Sequence, residues 1–381
     1  VNENYNGNFE GQKPGIQKLV IVKTSDDTVM DMITTGQIQI YSQIADGAQV
    51  NAVLDLIEAG TIDSSPSQYD RAGYGYFGFA CDLGPAQFTE FRQAIAYLLN
   101  RVEFAQTFCQ GWGSVVHGPY CTAFTMTSKT DIDKKLNHYD YNPEKAVELL
   151  KQAGFVYNAD GSDYVDGSGE VRYAKVTEEQ AKYYESFNKV LADGTILMPA
   201  TLNWASSEGN SVSALLTTML ASSDATKAAG VSIVKTEMTF PNLLGYMYRQ
   251  DIYGVGSDFS VPTYNMFNLA TGYNGGVYDE SYNWTTDPEY IEQGYNVQHL
   301  YDKELDKLSM DMVYGVEPGD EATYLSLWEK YIIRWNELLP MVPLYSNVYV
   351  SVYPNTIDNY AEDSFWGFER AILYANWVGT K

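Results

Sequence analysis

Two stretches of this chain read strand, helix, strand. In the first, residues 16–24 (IQKLVIVKT) are rich in β-branched side chains. Asp26, Asp27 and Thr28 then precede Val29, Met30, Met32 and Ile33 at helical spacing. Gly36 stops that run, and residues 37–41 (QIQIY) alternate again. The pattern returns as a strand at 197–205 (LMPATLNWA), a helix at 211–221 (SVSALLTTMLA) and a strand at 231–240 (VSIVKTEMTF). Alternation of this kind lays helices onto sheets, and two units so far apart predict two sheet-centred lobes in an α/β protein. The length of 381 residues agrees, since roughly 150 residues per domain gives two or three domains.

The segments between supply further elements. Residues 74–80 (YGYFGFA) predict a strand or extended crossover. Pro85 opens a helix to about Asn100, with Phe88, Phe91, Ile95, Leu98 and Leu99 at helical spacing, and a second helix follows over 101–109. Residues 142–154 carry an N-cap (Asn142), a first-turn proline (Pro143) and a stop (Gly154) around a stripe of Ala146, Val147, Leu149, Leu150 and Ala153. Residues 158–172 are turn-rich. A calcium loop counted from Asp160 would need Glu at its twelfth position, where Val171 stands, so a hairpin or solvated insert is expected. Residues 252–256 (IYGVG) read as a short buried strand and 272–296 as irregular. Helices are expected over 300–314 and 320–338, the second broken by Pro340, and a strand over 342–353.

Charge and composition narrow the function. There are 24 Lys and Arg against 49 Asp and Glu, a net charge of −25, which argues against binding nucleic acid or an anionic membrane. No apolar run reaches the ~18 residues that span a bilayer. Tyrosine is abundant, with 32 residues, and suits wet clefts that grip small ligands as well as ordinary sheet faces. Cys81, Cys109 and Cys121 form no CxxC pair, and bridging of Cys109 with Cys121 stays open. His117, His138 and His299 show no metal-ligand spacing, so neither a metal nor a cofactor is expected. No G-x-S-x-G elbow or P-loop is present.

Four stretches, in order, resemble the bacterial extracellular solute-binding proteins of family 5, the oligopeptide and dipeptide group of ABC importers. They are Asn4-Tyr5 through Pro14 and LVIVKT to Thr35-Gly36-Gln37-Ile38; FTEFRQAIAYLLNRVEF (88–104), with Arg92, Ala94 and Arg101; YDYNPEKAVELLKQAGF (139–155); and LLPMVPLY (338–345). Gln37 and Gln39 replace the usual acids, and Asn100 stands where Asp is usual. The resemblance implies a periplasmic-binding-protein-like fold (type II, cluster C-like) of two lobes with mixed sheets. Residues 1–80 and 340–381 would form lobe I and residues 81–339 the ligand-binding lobe III. It further implies that the N-terminal part of the family fold is missing and that this is the C-terminal portion of a longer chain.

On that resemblance the protein captures peptides or a related solute for a membrane ABC permease. It works as a monomer outside the cytoplasm, at the cell surface as a lipoprotein or in the periplasm, without enzymatic chemistry. The stretch 254–262 (GVGSDFSVP) matches the family's acid–aromatic–proline pattern, which makes Asp258 the carboxylate for a peptide amine, flanked by Ser257 and Phe259. Val255 replaces a frequent Trp, and a second acid near Val261 is lacking. Tyr74 and Tyr76 are expected as cleft-facing aromatics, and Trp112 as a further ligand contact. Two other readings accompany this one. One is a glycoside hydrolase or carbohydrate-binding surface protein using paired carboxylates and aromatic stacking. The other is a ligand sensor on the same fold.

Overall fold

A computed structural model of the chain describes residues 15–25, 28–273 and 278–379. Its strands are β1 (Tyr41–Ile44), β2 (Ser64–Asp70), β3 (Gly73–Phe79), β4 (Gly113–Ser114), β5 (Phe155–Tyr157), β6 (Tyr173–Val176), β7 (Lys189–Val190) and β8 (Ile196–Pro199). They continue as β9 (Thr201–Ser207), β10 (Ser232–Met238), β11 (Met266–Gly272), β12 (Met341–Pro354), β13 (Ile357–Asp358) and β14 (Asn376–Trp377). The main sheet runs β1-β12-β3-β11-β9-β10, with β2 and β4 also on β12. β9, β10 and β11 are mutually parallel where they pair, whereas β3 is antiparallel to both β11 and β12. The second strand–helix–strand unit is therefore present as β9, helix Ser211–Leu216 with a wider turn over Thr217–Ala221, and β10.

The expected strand over 197–205 divides at Ala200. β8 belongs to a small sheet of order β5-β6-β8-β7, and β9 belongs to the main one. That small sheet contains the predicted hairpin: Phe155 faces Ala174 across the turn-rich 158–172 segment. The first strand–helix–strand unit differs from expectation. Helix Val29–Thr34 forms, but the following strand shifts to Tyr41–Ile44 and pairs antiparallel with β12. Residues 16–24 join no strand, and Leu19, Val20, Ile21 and Val22 are exposed. β-propensity needs a neighbouring ladder to act on, and no described strand offers these residues one.

Three of the four stretches that carry the family resemblance form one knot. Arg92 is buried in helix Thr89–Tyr97. Its guanidinium donates to the carbonyls of Leu338 (3.1 and 2.5 Å), Leu339 (3.2 Å) and Ala86 (2.8 Å) and to Thr89 Oγ1 (3.0 Å). The Leu338 and Leu339 carbonyls close the C-terminal end of helix Glu321–Leu338, where a cation also meets the negative end of the helix dipole. Arg101 is likewise buried and donates to Pro343 O at 2.8 Å. Helix Pro143–Gln152 docks on the same ensemble. Asn142 N donates to Tyr97 O at 2.9 Å, Asn142 Oδ1 caps Lys145 N at 2.9 Å, and Tyr139 Oη donates to Asn336 O at 2.8 Å.

β12 changes partners along its length. Met341–Tyr345 pair with β3, Ser346 and Asn347 with β4, and Val348–Pro354 with β2. Since β2 leads through Arg71 and Ala72 into β3, two antiparallel ribbons cross together at 70–73 and 345–348. Arg71 N donates to Asn347 O at 2.9 Å, and Ser346 Oγ to Gly73 O at 2.9 Å. Gly73 is required here, because a Cβ would stand 2.0 Å from Thr271 O of the adjoining strand.

Candidate functional site

The ribbon crossing bears a cavity of about 520 Å³. Its walls are Tyr69, Arg71 and Tyr349 of the crossing ribbons, Thr271 and Tyr273 of the β11 end, Gln43, and the 363–370 segment. Arg71 is buried against the Tyr349 ring, 5.2 Å from its centroid, and donates to Thr271 O at 3.0 Å. Beside it the buried Glu362 carboxylate collects hydroxyl donors: Tyr69 at 2.6 Å, Ser351 at 2.8 Å, Ser42 at 3.0 Å, and Tyr360. Burial, followed by this carboxylate, holds the Tyr69 and Tyr360 phenols protonated, well above their usual range. The network ties Tyr360 and Glu362, at the start of the wall segment, to β1, β2 and β12.

Thr271 also borders a second, smaller cavity of about 220 Å³. Tyr74 and Tyr76 of β3, Tyr248, Glu280, Trp284 and Gln298 line it. Glu280 is partly exposed, lines this cavity and accepts from Asn283 Nδ2 at 2.7 Å. Burial raises its pKa from 4.5 to about 7, the Asn283 hydrogen bond pulls the other way, and neighbouring Asp279 adds to the rise. Among the described residues no Lys, Arg, His or Cys lines this cavity, and no His or Cys lines the larger one. Polar side chains line both, with no nucleophile–base pair in their described walls.

The structure thus brings Tyr74 and Tyr76 together at one cavity. Both are buried, with ring centroids 5.8 Å apart. Ser257, Asp258 and Phe259 line neither cavity and lie on the 251–264 connection. The strand expected at 252–256 is absent. Asp251 accepts from Val255 N and Gly256 N, each at 2.8 Å, and Gly254 and Gly256 take positive φ (65° and 80°), so this segment turns instead of extending. Asp258 is exposed. Its Oδ1 accepts from Ser260 N (2.9 Å) and Ser260 Oγ (2.6 Å), which lowers its pKa, while Oδ2 accepts from no described residue. Phe259 is buried edge-on against Tyr246, 4.9 Å between centroids. Trp112 donates from Nε1 to Asn51 Oδ1 at 2.9 Å and packs with the small core beneath β1.

Two of the histidines come together in the fold. His117 and His138 stack at 3.9 Å between centroids, and the Asp133 carboxylate lies 3.9 Å from His117 Nε2 and 3.6 Å from His138 Nε2. The turn over Ile132–Lys135 brings these groups within metal-ligand reach of one another, which spacing in the sequence does not show. Their chemistry does not fit a metal. Arg101 Nη2 donates to His117 Nδ1 at 3.1 Å, so the ring proton sits on Nε2, the atom a metal would need, and His138 Nε2 meets Asp133 O at 2.8 Å. His299 is buried beside the bidentate Arg249–Asp82 pair (2.7 and 2.6 Å). Cys81, Cys109 and Cys121 are free and buried, which settles the open question of a bridge.

Comparisons with known proteins agree with this architecture. The chain superposes on the oligopeptide-binding protein AppA of Bacillus subtilis, solved with a nonapeptide, with a TM-score of 0.70 and 16% identity, covering 93% of this chain and 59% of that one. An oligopeptide-binding protein of Thermus thermophilus, solved with a pentapeptide, gives 0.70 and 16% over 92% and 55%. NikZ of Campylobacter jejuni, solved with Ni(L-His), gives 0.63 and 15% over 92% and 60%. The chain therefore spans less than two thirds of each of these structures. No curated protein sequence matches it. No described helix is long and apolar enough to cross a membrane. The sequence profile of bacterial extracellular solute-binding proteins, family 5 Middle, matches residues 1–193, half of the chain, and the protein belongs to that family.

Proposed function

We propose that this chain belongs to the substrate-capturing component of an ABC importer and holds a peptide or related small solute for delivery to a membrane permease. The observation that carries this reading is the polar cavity on a double ribbon crossing in a chain of the solute-binding family. Lobe I would comprise residues 1–80 and 340–381, and lobe III residues 81–339. The partner exchange of β12 supports a hinge just inside those limits, at Arg71–Ala72 and Ser346–Asn347. The family is one of binding proteins, so the glycosidase alternative has no support of its own. An extracytoplasmic setting goes with the family; a lipid anchor and a monomeric state are parts of the proposal.

Asp258 is the proposed anchor for a peptide α-amine. It is ionised, exposed, and has Oδ2 unclaimed by the described residues. Ser257 and Phe259 would shape its surroundings, and Phe259 does so from a buried position. Thermal unfolding with a peptide library tests the whole reading. Bound peptides raise Tm in proportion to ln(1+[L]/Kd) and are recovered intact by mass spectrometry. Recovery of cleaved peptides would overturn it. Asp258→Ala should weaken peptides with a free N-terminus about tenfold or more, the scale of one charge-assisted hydrogen bond, and leave N-acetylated ones unchanged. Equal losses for both would remove Asp258 from the site.

A further inference from the structure

Glu280 has no counter-charge among the described residues that line its cavity. Its carboxyl borders that cavity, and none of those residues is a cation. The charged neighbour that acts on it is Asp279, of the same sign. A carboxylate partly withdrawn from water with no cation beside it is costly to ionise, and in a solute-binding chain the missing partner can arrive with the solute. The rest of the cavity suits such a guest. Tyr74, Tyr76, Tyr248 and Trp284 present aromatic rings, whose faces attract organic cations. Gln298 turns its amide nitrogen toward Met341 Sδ at 3.5 Å, and its Oε1 receives no hydrogen bond from the described residues. A short alkylammonium entering from the side of Thr271 would find a carboxylate, a carbonyl acceptor and aromatic walls.

We propose that the Glu280 cavity is a subsite for a primary ammonium group carried by the bound solute, such as the end of a lysine side chain. The proposal rests on the solute-capture reading and deepens it. Glu280 supplies the charge, and the aromatic walls supply selectivity for an ammonium on a slender alkyl stem. Tyr331 works as a positioning residue: its hydroxyl accepts from Trp284 Nε1 at 2.7 Å and lies close enough to Glu280 to favour the ionised carboxyl.

The test uses the whole chain and two probes of one shape, n-butylammonium and n-butanol, titrated at pH 8 by ligand-observed NMR. The wild-type chain should bind the ammonium about tenfold tighter than the alcohol, and Glu280→Gln should bring the two within about twofold. Thermal melting confirms that the variant folds. If it does not, the wild-type comparison alone decides. No preference for the ammonium, or a preference that survives in Glu280→Gln, overturns the subsite. A parallel titration with tripeptides carrying lysine or norleucine separates the two claims. Peptide binding without a Glu280-dependent preference for the ammonium sinks the subsite and leaves the capture reading standing. A Glu280-dependent preference without any peptide binding does the reverse.

Discussion

Glu280 shows how much one residue can owe to its surroundings. Its pKa of about 7 lies above the 4.5 of an ordinary glutamate, because burial penalises the charged form. A group raised in the folded state adds stability that is complete below about pH 4.5 and is lost as pH climbs through about 7. Glu280→Gln should therefore be more stable than wild type at pH 8 by about 1–3 kcal/mol, with little difference at pH 4. Denaturant titrations at both pH values measure it, and the comparison cancels groups common to both proteins, such as His117. Equal stability at pH 8 would mean that the carboxyl is solvated. Ligand binding has the opposite slope. An ammonium that needs the ionised carboxyl should bind more tightly as pH rises from 6 to 8, with release of a proton on binding. Asp279 and the protonated phenols of Tyr74, Tyr76, Tyr273, Tyr278, Tyr324 and Tyr331 are the other titratable groups that act on this carboxyl or feel it, and none of the phenols changes charge in that range.

Among elements, the two arginines of residues 88–104 explain why distant stretches of the family pattern travel together. Arg92 has no carboxylate partner among the described residues; it spreads its charge over carbonyls that the end of helix Glu321–Leu338 leaves open. Arg92→Met should cost about 2–4 kcal/mol in urea unfolding, because those buried acceptors lose their donor. Arg92→Lys should recover only part of it, since an ammonium cannot span them as a fork does. Full recovery by lysine would point to charge alone. Sequence made this region legible because its helices are local: caps, stripes and stops lie within one segment, as at Asn142, Leu149 and Gly154. Strands depend on partners that a single segment does not reveal. Residues 16–24 read as a strand and pair with nothing described, whereas the short β4 is invisible in sequence and exists because Ser346 and Asn347 need neighbours. Of the residues expected at a cleft, Tyr74 and Tyr76 line the smaller cavity. Glu280 offered one faint signal, an acid within a Gly-, Asn- and Tyr-rich stretch, and its cavity is completed by strands far away in sequence. The His117–His138 stack is hidden in the same way, as a turn folds two separated loops together.

For the whole molecule, the proposal is that two halves approach each other around a guest while the ribbons bend. Gly73 belongs at this scale because it lets three strands converge at the crossing. Gly73→Ala drives a Cβ into Thr271 O and should lower Tm and loosen solute binding together, whereas a substitution at exposed Gly36 should leave binding unchanged. Calorimetry with and without ligand separates the two cases. β12 also sets a limit on how such a molecule can bend. One unbroken stretch of backbone is stitched first to one neighbour and then to another, so the stitching has to change hands somewhere, and it does so at Ser346 and Asn347. Deuterium uptake should be slow on both sides of that seam and quicker at it, with a guest slowing the seam more than either flank.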